Sequence, residues 1–392
     1  MKIAPFLTEQ FFAEYEFSAR HLLASSDCET ISIRELLRMS GSLMDELGDL
    51  TLGYTESQGD PQLRSQIAEL YSDVSSEDVV VLTSPVEGIY LAMQSLLQPA
   101  DEVIALRPAY DALRNVAGHL CREVFDWNLI PATNRWELDF DQLESLITSR
   151  TRIIVVNFPH NPTGYVPSTF EFDRLINLAR QHNVWLFCDE IYRGLEFEPS
   201  IASAADLYEK SVVLSGLSKT YGLPGLRAGW LVIRNKELRD DLINWKHYTT
   251  ICPAGPTEFL AKKALMVEEK LAERSQSIIR KNLDLCETFF ARFPEHFVWR
   301  KPSAGSVAFV ETNLGRIGFD SATAYCHHLA RKHGILLLPG QCLGFEDHFV
   351  RFGLGRVDFG EALQAYAKVI TEGESGKCSI PAGVAEGPVR HC

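Results

Sequence analysis

A single lysine between two apolar runs constrains the fold of this chain more than any other feature of its sequence. Residues 212–214 precede Lys219 and residues 230–233 follow it, and both runs predict buried strands. A glycine-rich turn separates Lys219 from Arg227, which lies eight residues further on. Lys219 is therefore expected at the end of a strand, where the ligand crevice of an open α/β sheet usually lies.

The position of this lysine suggests a nucleophilic amine. Burial at a strand end withdraws a lysine from water, which favours its neutral form. A neutral amine can form a Schiff base with an aldehyde cofactor, and the fork-shaped charge of Arg227 can bind a phosphate. The alternative interpretation is a surface lysine beside a glycine turn, so the rest of the sequence has to decide between the two.

Short apolar runs that alternate with helical patterns define the fold class. Further buried strands are predicted at four such runs: residues 79–82, 103–106, 153–156 and 184–188. Strands that alternate with helices indicate an α/β fold with a mostly parallel sheet and helices on both faces. Long helices over residues 256–292 lead to a region of antiparallel strands and covering helices, which predicts a second, smaller α+β domain.

This change of pattern divides the chain. We expect four segments: an N-terminal arm with part of the small domain (1–48), a large cofactor-binding domain (49–285), a small C-terminal domain (286–371) and a flexible tail (372–392). Residues 33–47 are expected to form one amphipathic helix. Residues 11–23 carry apolar side chains at helical spacing, either as a helix packed on the body or as an arm that places Glu9 or Glu14 over an active site.

Composition and charge exclude several classes of protein. The net charge of −14 argues against nucleic-acid and anionic-membrane partners, and no apolar run is long enough to span a bilayer. The nine cysteines form no CxxC pair and show no metal-ligand spacing, so we expect reduced thiols and no metal site. The N-terminus lacks a signal-peptide pattern, and the chain is expected to be soluble and cytoplasmic.

Polar residues follow the predicted strands. Asp189 comes directly after the apolar run at residues 184–188, where an unpaired carboxylate is costly and a buried cation would be a fitting partner. Asn161 stands in the string Asn-Pro-Thr-Gly, and Tyr110 stands in Arg-Pro-Ala-Tyr. Each residue also has a plain alternative, because Asp189 could be a helix N-cap, Asn161 a turn residue and Tyr110 a core tyrosine.

These motifs resemble those of the class I and II aminotransferases, the fold-type I family that uses pyridoxal phosphate (PLP). The resemblance rests on residues 215–230 and on the string Asp-Glu-Ile-Tyr at residues 189–192. It implies that Lys219 binds the cofactor aldehyde, that Asp189 pairs with the pyridine nitrogen and that Tyr192 reaches the ring hydroxyl.

The resemblance also implies roles around the cofactor ring and the substrate. Tyr110 matches the aromatic residue that stacks on the ring, and with Lys219 and Asp189 it completes the predicted catalytic residues. Asn161 matches an asparagine at the ring hydroxyl and is also a predicted substrate-binding residue, with a cis peptide bond after it. Arg351, in the string Phe-Val-Arg-Phe-Gly, matches the arginine whose planar fork binds the substrate carboxylate.

The predicted phosphate cup departs from the family pattern at two positions. The family usually has a residue with a backbone N–H group where this chain has Pro85, which lacks that donor, and often has a serine where this chain has Gly216. The cup beside Pro85 is therefore expected to bind phosphate through the groups that remain: the Val86 N–H group, Arg227, Ser218 or Ser215, and Tyr54 of the partner subunit in a homodimer with shared active sites.

Within the family, the motifs resemble most closely the branch of capreomycidine synthase and the L-enduracididine-forming cyclases. The phrases that carry this resemblance are residues 157–162, 218–227 and 333–340. The resemblance implies cyclisation of a hydroxylated arginine to a cyclic guanidino amino acid, by α-deprotonation and loss of the hydroxyl group, with Glu9 as an acidic receiver for the guanidinium. The alternatives are an ordinary aminotransferase, which transfers an amino group to a 2-oxo acid, and a non-catalytic sensor built on the same fold.

Overall fold

The computed structural model describes residues 3–198 and 201–376 of the chain. Its strands in chain order are β1 (His21–Leu22), β2 (Val79–Leu82), β3 (Glu102–Arg107), β4 (Glu123–Pro131), β5 (Trp136–Leu138), β6 (Thr151–Asn157), β7 (Trp185–Asp189), β8 (Ser211–Gly216), β9 (Gly229–Val232), β10 (Phe297–Val298), β11 (Val307–Thr312), β12 (Ile335–Leu336), β13 (Leu338–Pro339) and β14 (Phe349–Gly353).

Helices connect most of these strands. In chain order they are α1 (Leu7–Tyr15), α2 (Ile33–Met39), α3 (Met44–Gly48), α4 (Pro61–Ala68), α5 (Pro85–Leu96), α6 (Asp111–Leu120), α7 (Phe140–Leu146), α8 (Thr169–Gln181), α9 (Ala204–Leu207), α10 (Lys236–His247), α11 (Gly255–Leu265), α12 (Glu268–Arg292), α13 (Leu314–Ile317), α14 (Ala322–His328) and α15 (Phe359–Gly376). Short 3₁₀ or π-helical turns cover Ser76–Asp78, Pro224–Leu226, Leu329–His333 and Gly340–Leu343.

The larger sheet has eight strands in the order β2-β9-β8-β7-β6-β3-β4-β5. Neighbouring strands from β8 through β4 pair in parallel, whereas β9 and β5 pair antiparallel with their neighbours. Each apolar run that predicted a strand is a buried strand, and the predicted α/β fold with a mostly parallel sheet is confirmed.

Helices cover both faces of this sheet, as its apolar strands require. Val155 and Phe187 belong to the apolar cluster beneath α5, α6 and α10, and their neighbours Ile154 and Leu186 belong to the cluster on the opposite face. Because successive side chains on a strand point to opposite faces, a strand covered on both sides must be apolar throughout. This burial leaves the strand ends as the place where polar side chains can meet a ligand.

A second sheet is antiparallel, in the order β10-β11-β14-β13. Arg351 lies in its interior, since the residue pairs with Phe309 of β11 on one side and with Leu338 of β13 on the other. Strand β1 pairs in parallel with β12, so the segment after the N-terminal helix joins this part of the molecule. The residue boundaries proposed for the two domains stay a prediction.

Two expectations about helices meet a different outcome, and the boundary of the predicted tail stays a prediction. The single helix expected over residues 33–47 is wrong, because the chain turns at Gly41, whose φ of 72° favours glycine, and forms α2 and α3 instead. The helical spacing over residues 11–23 does not correspond to one helix, because the first helix ends at Tyr15. The last helix continues to Gly376, and the remainder of the tail predicted for residues 372–392 lies outside the described residues.

Within the described parts of the chain, none of the helices combines the length and the apolar character that a bilayer span requires.

Candidate active site

A cavity of about 380 Å³ lies at the strand ends of the large sheet, beneath α1 and beside β14. Eleven of the predicted site residues line it: Glu9, Pro85, Val86, Tyr110, Asn161, Asp189, Tyr192, Ser218, Lys219, Arg227 and Arg351. Tyr54 does not line it, and its side chain is 93% exposed. The structure thus brings together residues from both ends of the sequence. Among the predicted site residues, Tyr54 is the exception, and it is the residue that was assigned to a partner subunit.

Lys219 follows the end of β8 and faces this cavity. Its Nζ donates a hydrogen bond of 2.7 Å to Oγ of Ser26. Burial lowers the pKa of the amine, and the nearby charge of Arg351 lowers it further, while Asp27 opposes the shift. The environment therefore favours the neutral amine that a nucleophile or general base requires.

Asp189 ends β7 and is 7% exposed. One of its carboxylate oxygens, Oδ1, accepts a hydrogen bond from the Ile191 N–H group at 3.0 Å. Burial raises the pKa of this carboxyl to about 7, because the charged form has lost its water. A cation in the cavity would restore the charged form, which is what a protonated pyridine nitrogen would supply.

Asn157 is the residue that holds this part of the site together. Its Nδ2 donates to the backbone oxygen of Asp189, and its Oδ1 accepts from the N–H group of Asn161, both at 2.7 Å. The register of the sheet explains this arrangement, because Asn157 pairs with Asp189 at the ends of two parallel strands. The peptide bond between Asn161 and Pro162 is cis, as predicted.

His160 is buried beside Asn161 in its neutral form. Burial lowers the pKa of its imidazole to about 3. Its Nε2 lies 2.9 Å from the carbonyl oxygen of Pro108, which can only accept, so Nε2 carries the proton. Its Nδ1 therefore accepts from the hydroxyl of Thr163 at 2.8 Å. This histidine supports the loop, and its imidazole stays neutral at neutral pH.

Arg351 reaches the cavity from β14. Its Nη1 donates to Oδ1 of Asn161 at 3.1 Å, and its Nη2 donates to the backbone oxygen of Ala24 at 2.9 Å. Its Cζ lies 5.7 Å from the ring centre of Phe12. The side chain is 1% exposed, and among the described residues its buried Nε has no hydrogen-bond partner. This cation is held in place and still has capacity for a carboxylate.

Helix α1 covers the cavity as an arm. Oε1 of Glu9 accepts a hydrogen bond of 2.8 Å from the Tyr110 hydroxyl. Thr8 fixes the helix in two places, since its N–H group donates to Asp111 at 3.1 Å and its hydroxyl donates to the backbone oxygen of Cys342 at 2.9 Å. Glu14, the alternative to Glu9, instead pairs with Arg331 at 2.9 Å and does not line the cavity.

The predicted phosphate cup is formed by the first turn of α5 and by the turn after β8. Pro85 and Val86 begin the helix, and the N-cap hydroxyl of Ser84 accepts from the Glu87 N–H group at 3.3 Å. Ser218 lines the cavity, whereas Ser215 does not, so Ser218 is the serine that the structure places at the cup. The exposed Arg227 has a φ of 52°.

Sequence reasoning missed several residues of the cavity: Thr8, Phe12, Ser26 and Asn157. Asn157 could have been found, because it ends a predicted strand next to the one that ends at Asp189. Ser26 gave no such signal, since 193 residues separate it from Lys219.

The residues present fit PLP. Lys219 can bind an aldehyde, and the buried carboxyl of Asp189 needs a cation that the pyridine nitrogen would provide. The first turn of α5 and Arg227 line the same cavity, where they offer the Val86 N–H group and a positive charge to a phosphate. No group of histidine, cysteine and acidic side chains that could hold a metal ion occurs in the described ranges.

Comparisons with known proteins agree with this assignment. Capreomycidine synthase of Streptomyces vinaceus is 28% identical over 370 residues, which cover 92% of each chain. The arginine–pyruvate transaminase of Pseudomonas aeruginosa is 30% identical, over 74% of this chain and 75% of its own length. The solved structure of the PLP-dependent cyclase OrfR superposes with a TM-score of 0.86 at 26% identity, over 95% of this chain and 98% of that one.

The model of the family described as aminotransferase class I and II matches residues 34–362, which is most of the chain. The chain is therefore a PLP-dependent enzyme that acts on a small amino-acid substrate, and it belongs to the class I and II aminotransferase family.

Proposed function

We propose that this enzyme cyclises a hydroxylated arginine to a cyclic guanidino amino acid of the capreomycidine or enduracididine type. One observation carries the proposal. The cavity that holds Lys219 is lined both by a buried arginine, Arg351, and by an acidic residue of the covering arm, Glu9. These two side chains suit the two charged ends of an arginine derivative, its carboxylate and its guanidinium.

The names of similar proteins support an arginine-like substrate. Capreomycidine synthase carries the name of a cyclic guanidino amino acid, and OrfR is described as a PLP-dependent cyclase. The arginine–pyruvate transaminase names arginine itself. A guanidino substrate is thus common to the two reactions that compete as explanations.

Each side chain has a defined task in the proposed reaction. Bound PLP supplies an aldehyde for the substrate amine and a ring that takes up the electron pair left at the α-carbon. Lys219, whose pKa is lowered by burial, removes the α-proton. Asp189 would pair with the ring nitrogen and stabilise its positive charge. Arg351 binds the carboxylate and is itself held by Asn161, while Glu9 binds the guanidinium.

The proposed reaction is balanced without an oxidant or a second substrate. The α-proton goes to Lys219. A hydroxyl on the β-carbon can then leave directly, whereas a hydroxyl on the γ-carbon leaves after further proton transfer from the β-carbon, and in both cases it takes up a proton and becomes water. A guanidine nitrogen bonds to the side-chain carbon that lost the hydroxyl and gives up a proton. Lys219 then returns a proton to carbon, so that the product is the substrate minus one water.

The test is incubation of the enzyme with hydroxylated arginine and with plain arginine, each with and without a 2-oxo acid, followed by mass spectrometry. Loss of one water from the hydroxylated substrate alone, without a 2-oxo acid, is expected. Conversion that occurs only when a 2-oxo acid is present would contradict cyclisation.

An ordinary aminotransferase is the second candidate function. Lys219, Asp189 and Arg351 would serve amino-group transfer equally well, and the arginine–pyruvate transaminase is slightly more identical to this chain than capreomycidine synthase is. In that reaction both hydroxylated and plain arginine would give keto acids, and only with an acceptor. The same four incubations therefore decide between the candidates.

We also propose that the enzyme is a homodimer with shared active sites. Tyr54 projects from the loop before α4, which is anchored by a hydrogen bond of 2.7 Å from the Thr55 hydroxyl to the backbone oxygen of Pro253. Leu52 and Tyr248 are also largely exposed in the single subunit, at 80% and 81%, and a subunit interface would cover such apolar side chains. A dimer in solution, with weaker PLP binding in Tyr54→Phe, is expected, whereas a monomer that binds PLP fully would contradict the proposal.

A further inference from the structure

Pro85 and Gly216, the two departures from the family pattern at the phosphate cup, lie next to each other. Gly216 ends β8 and pairs with Gly229 at the start of β9. A Cβ atom placed on Gly216 would lie 2.8 Å from the backbone oxygen of Ala228 and 3.0 Å from both Cα of Gly229 and Cγ of Pro85. A Cβ atom on Gly229 would lie 2.8 Å from the nitrogen of Pro85 and 2.9 Å from its Cδ. The proline ring therefore lies directly on this pair of glycines.

All of these distances are 3.0 Å or shorter, whereas packed carbon atoms are optimally separated by about 3.5–4.0 Å, so a side chain at either glycine would force its neighbours to move. Neither glycine has a positive φ, so the absence of a side chain is required by space and not by backbone conformation. A serine at position 216, as the family often has, would press against the ring of Pro85 as well as against backbone atoms of Ala228 and Gly229.

A proline is well suited to this place in α5. It is the first residue of the helix, where the N–H group that proline lacks has no partner within the helix in any case. Its ring also fixes φ near the helical value. The next donor that the helix offers to the cavity is the Val86 N–H group, because the Glu87 N–H group is already bonded to Ser84.

We propose that Pro85 and Gly216 are a matched pair of positioning residues, in which the proline ring packs against the glycine to fix the first turn of α5 over the end of β8. The pair determines where the Val86 N–H group points in the phosphate cup. The inference rests on the proposal that this cup binds the phosphate of PLP. It explains two departures from the family pattern as one change, in which the volume of a serine side chain is replaced by that of a proline ring.

The experiment is a double-mutant cycle on the apoenzyme, with the PLP dissociation constant measured by absorbance titration and the thermal midpoint of unfolding measured without PLP. Gly216→Ser is expected to weaken PLP binding by about tenfold or more, since overpacking costs about 1–3 kcal/mol. Pro85→Ala alone is expected to weaken it by about threefold or less. The double variant is expected to bind PLP more tightly than Gly216→Ser but less tightly than wild type, because the contacts with the Ala228 oxygen and the Gly229 Cα remain.

Gly225→Ser is the matched control. Gly225 lies in the same glycine-rich turn, its Cβ position has no atom within 4 Å, and the substitution should leave both measurements unchanged. Should Gly216→Ser fail to fold, Gly216→Ala replaces it in the cycle. If the substitution at position 216 weakens PLP binding by the same factor in wild type and in Pro85→Ala, the proposed pairing of the two residues is wrong. Because PLP titration needs no turnover, this result is independent of the cyclase proposal. Wild-type protein that fails to bind PLP would contradict the proposal that this cup binds the phosphate of PLP.

Discussion

The two sides of the active-site cavity are built in different ways. On the side proposed to bind the cofactor, called the cofactor side here, Asn157 and Asp189 end β6 and β7, and Lys219 follows β8. These three strands are neighbours in the sheet. Each of these side chains is positioned by the strand that precedes it. A polar residue at the end of an apolar run is therefore a local signal, and the register of a parallel sheet brings such residues together.

On the side proposed to bind the substrate, called the substrate side here, the cavity is assembled from segments that are far apart in the sequence. Thr8 bonds to Cys342 across 334 residues, and Arg351 bonds to the backbone of Ala24 across 327 residues. Glu9 and Phe12 reach the cavity only because α1 packs over it. The comparison teaches that the residues proposed to bind the cofactor are positioned by the sheet, whereas those proposed to bind the substrate are positioned by the packing of α1 and of β14 around the cavity.

The largest effect is expected on the cofactor side, from Asp189→Asn. The substitution removes the carboxylate that would pair with the pyridine nitrogen of PLP, and the reaction rate should fall by about 10²–10³-fold. PLP binding should weaken as well. Small changes in both the reaction rate and the affinity for PLP would contradict the division between a cofactor side and a substrate side.

The same variant has a distinctive effect on the apoenzyme. The folded-state pKa of Asp189, about 7, is raised above its ordinary value of 3.8. The stability that this group contributes is therefore present below about pH 4 and is lost as the pH rises through about pH 7, by up to about 4 kcal/mol. Asparagine has no such loss, so apoenzyme carrying Asp189→Asn should unfold at a higher temperature than wild type at about pH 8, but not at about pH 4. Destabilisation of equal size at both pH values would show that the carboxyl is not buried as described.

The sequence predicted the cofactor side in detail and the substrate side only in part. Strands with uninterrupted apolar residues identified the sheet, and motifs of a few residues placed Lys219, Asp189 and Asn161. Arg351 and Glu9 were assigned through the family resemblance. The contact between Lys219 and Ser26 could not be predicted, because it depends on the packing of β1 and the following loop against the small domain. The break at Gly41 was missed because apolar spacing continued across it.

An intermediate effect is expected on the substrate side, from Glu9→Gln. A hydrogen bond to a charged group contributes about 1.5–3 kcal/mol, so the KM for a guanidino substrate should rise by about 10–100-fold. PLP binding should stay unchanged, because the cofactor side is intact. Glu14→Gln is the matched control on the same helix, since Glu14 pairs outward with Arg331. Equal effects from the two variants would mean that Glu9 acts only through the stability of the arm.

The smallest effect is expected where the two sides meet, from Ser26→Ala. The Ser26 hydroxyl accepts from Nζ of Lys219 at 2.7 Å and so favours the protonated amine. Its removal should lower the pKa of Lys219 further and enlarge the neutral fraction near neutral pH. A hydrogen bond contributes about 1 kcal/mol, so the lysine–PLP absorption band should form about fivefold faster in apoenzyme, with the pH profile of that rate shifted toward lower pH.

Ser25→Ala is the control for this change, because the neighbouring Ser25 hydroxyl is buried and, within the described residues, has no hydrogen-bond partner. It should leave the pH profile unchanged. A shift of the profile toward higher pH in Ser26→Ala, or the same shift in both variants, would contradict a direct contact. A shift confined to Ser26→Ala would instead establish that the loop from the substrate side adjusts the amine on the cofactor side, which makes the two sides one site.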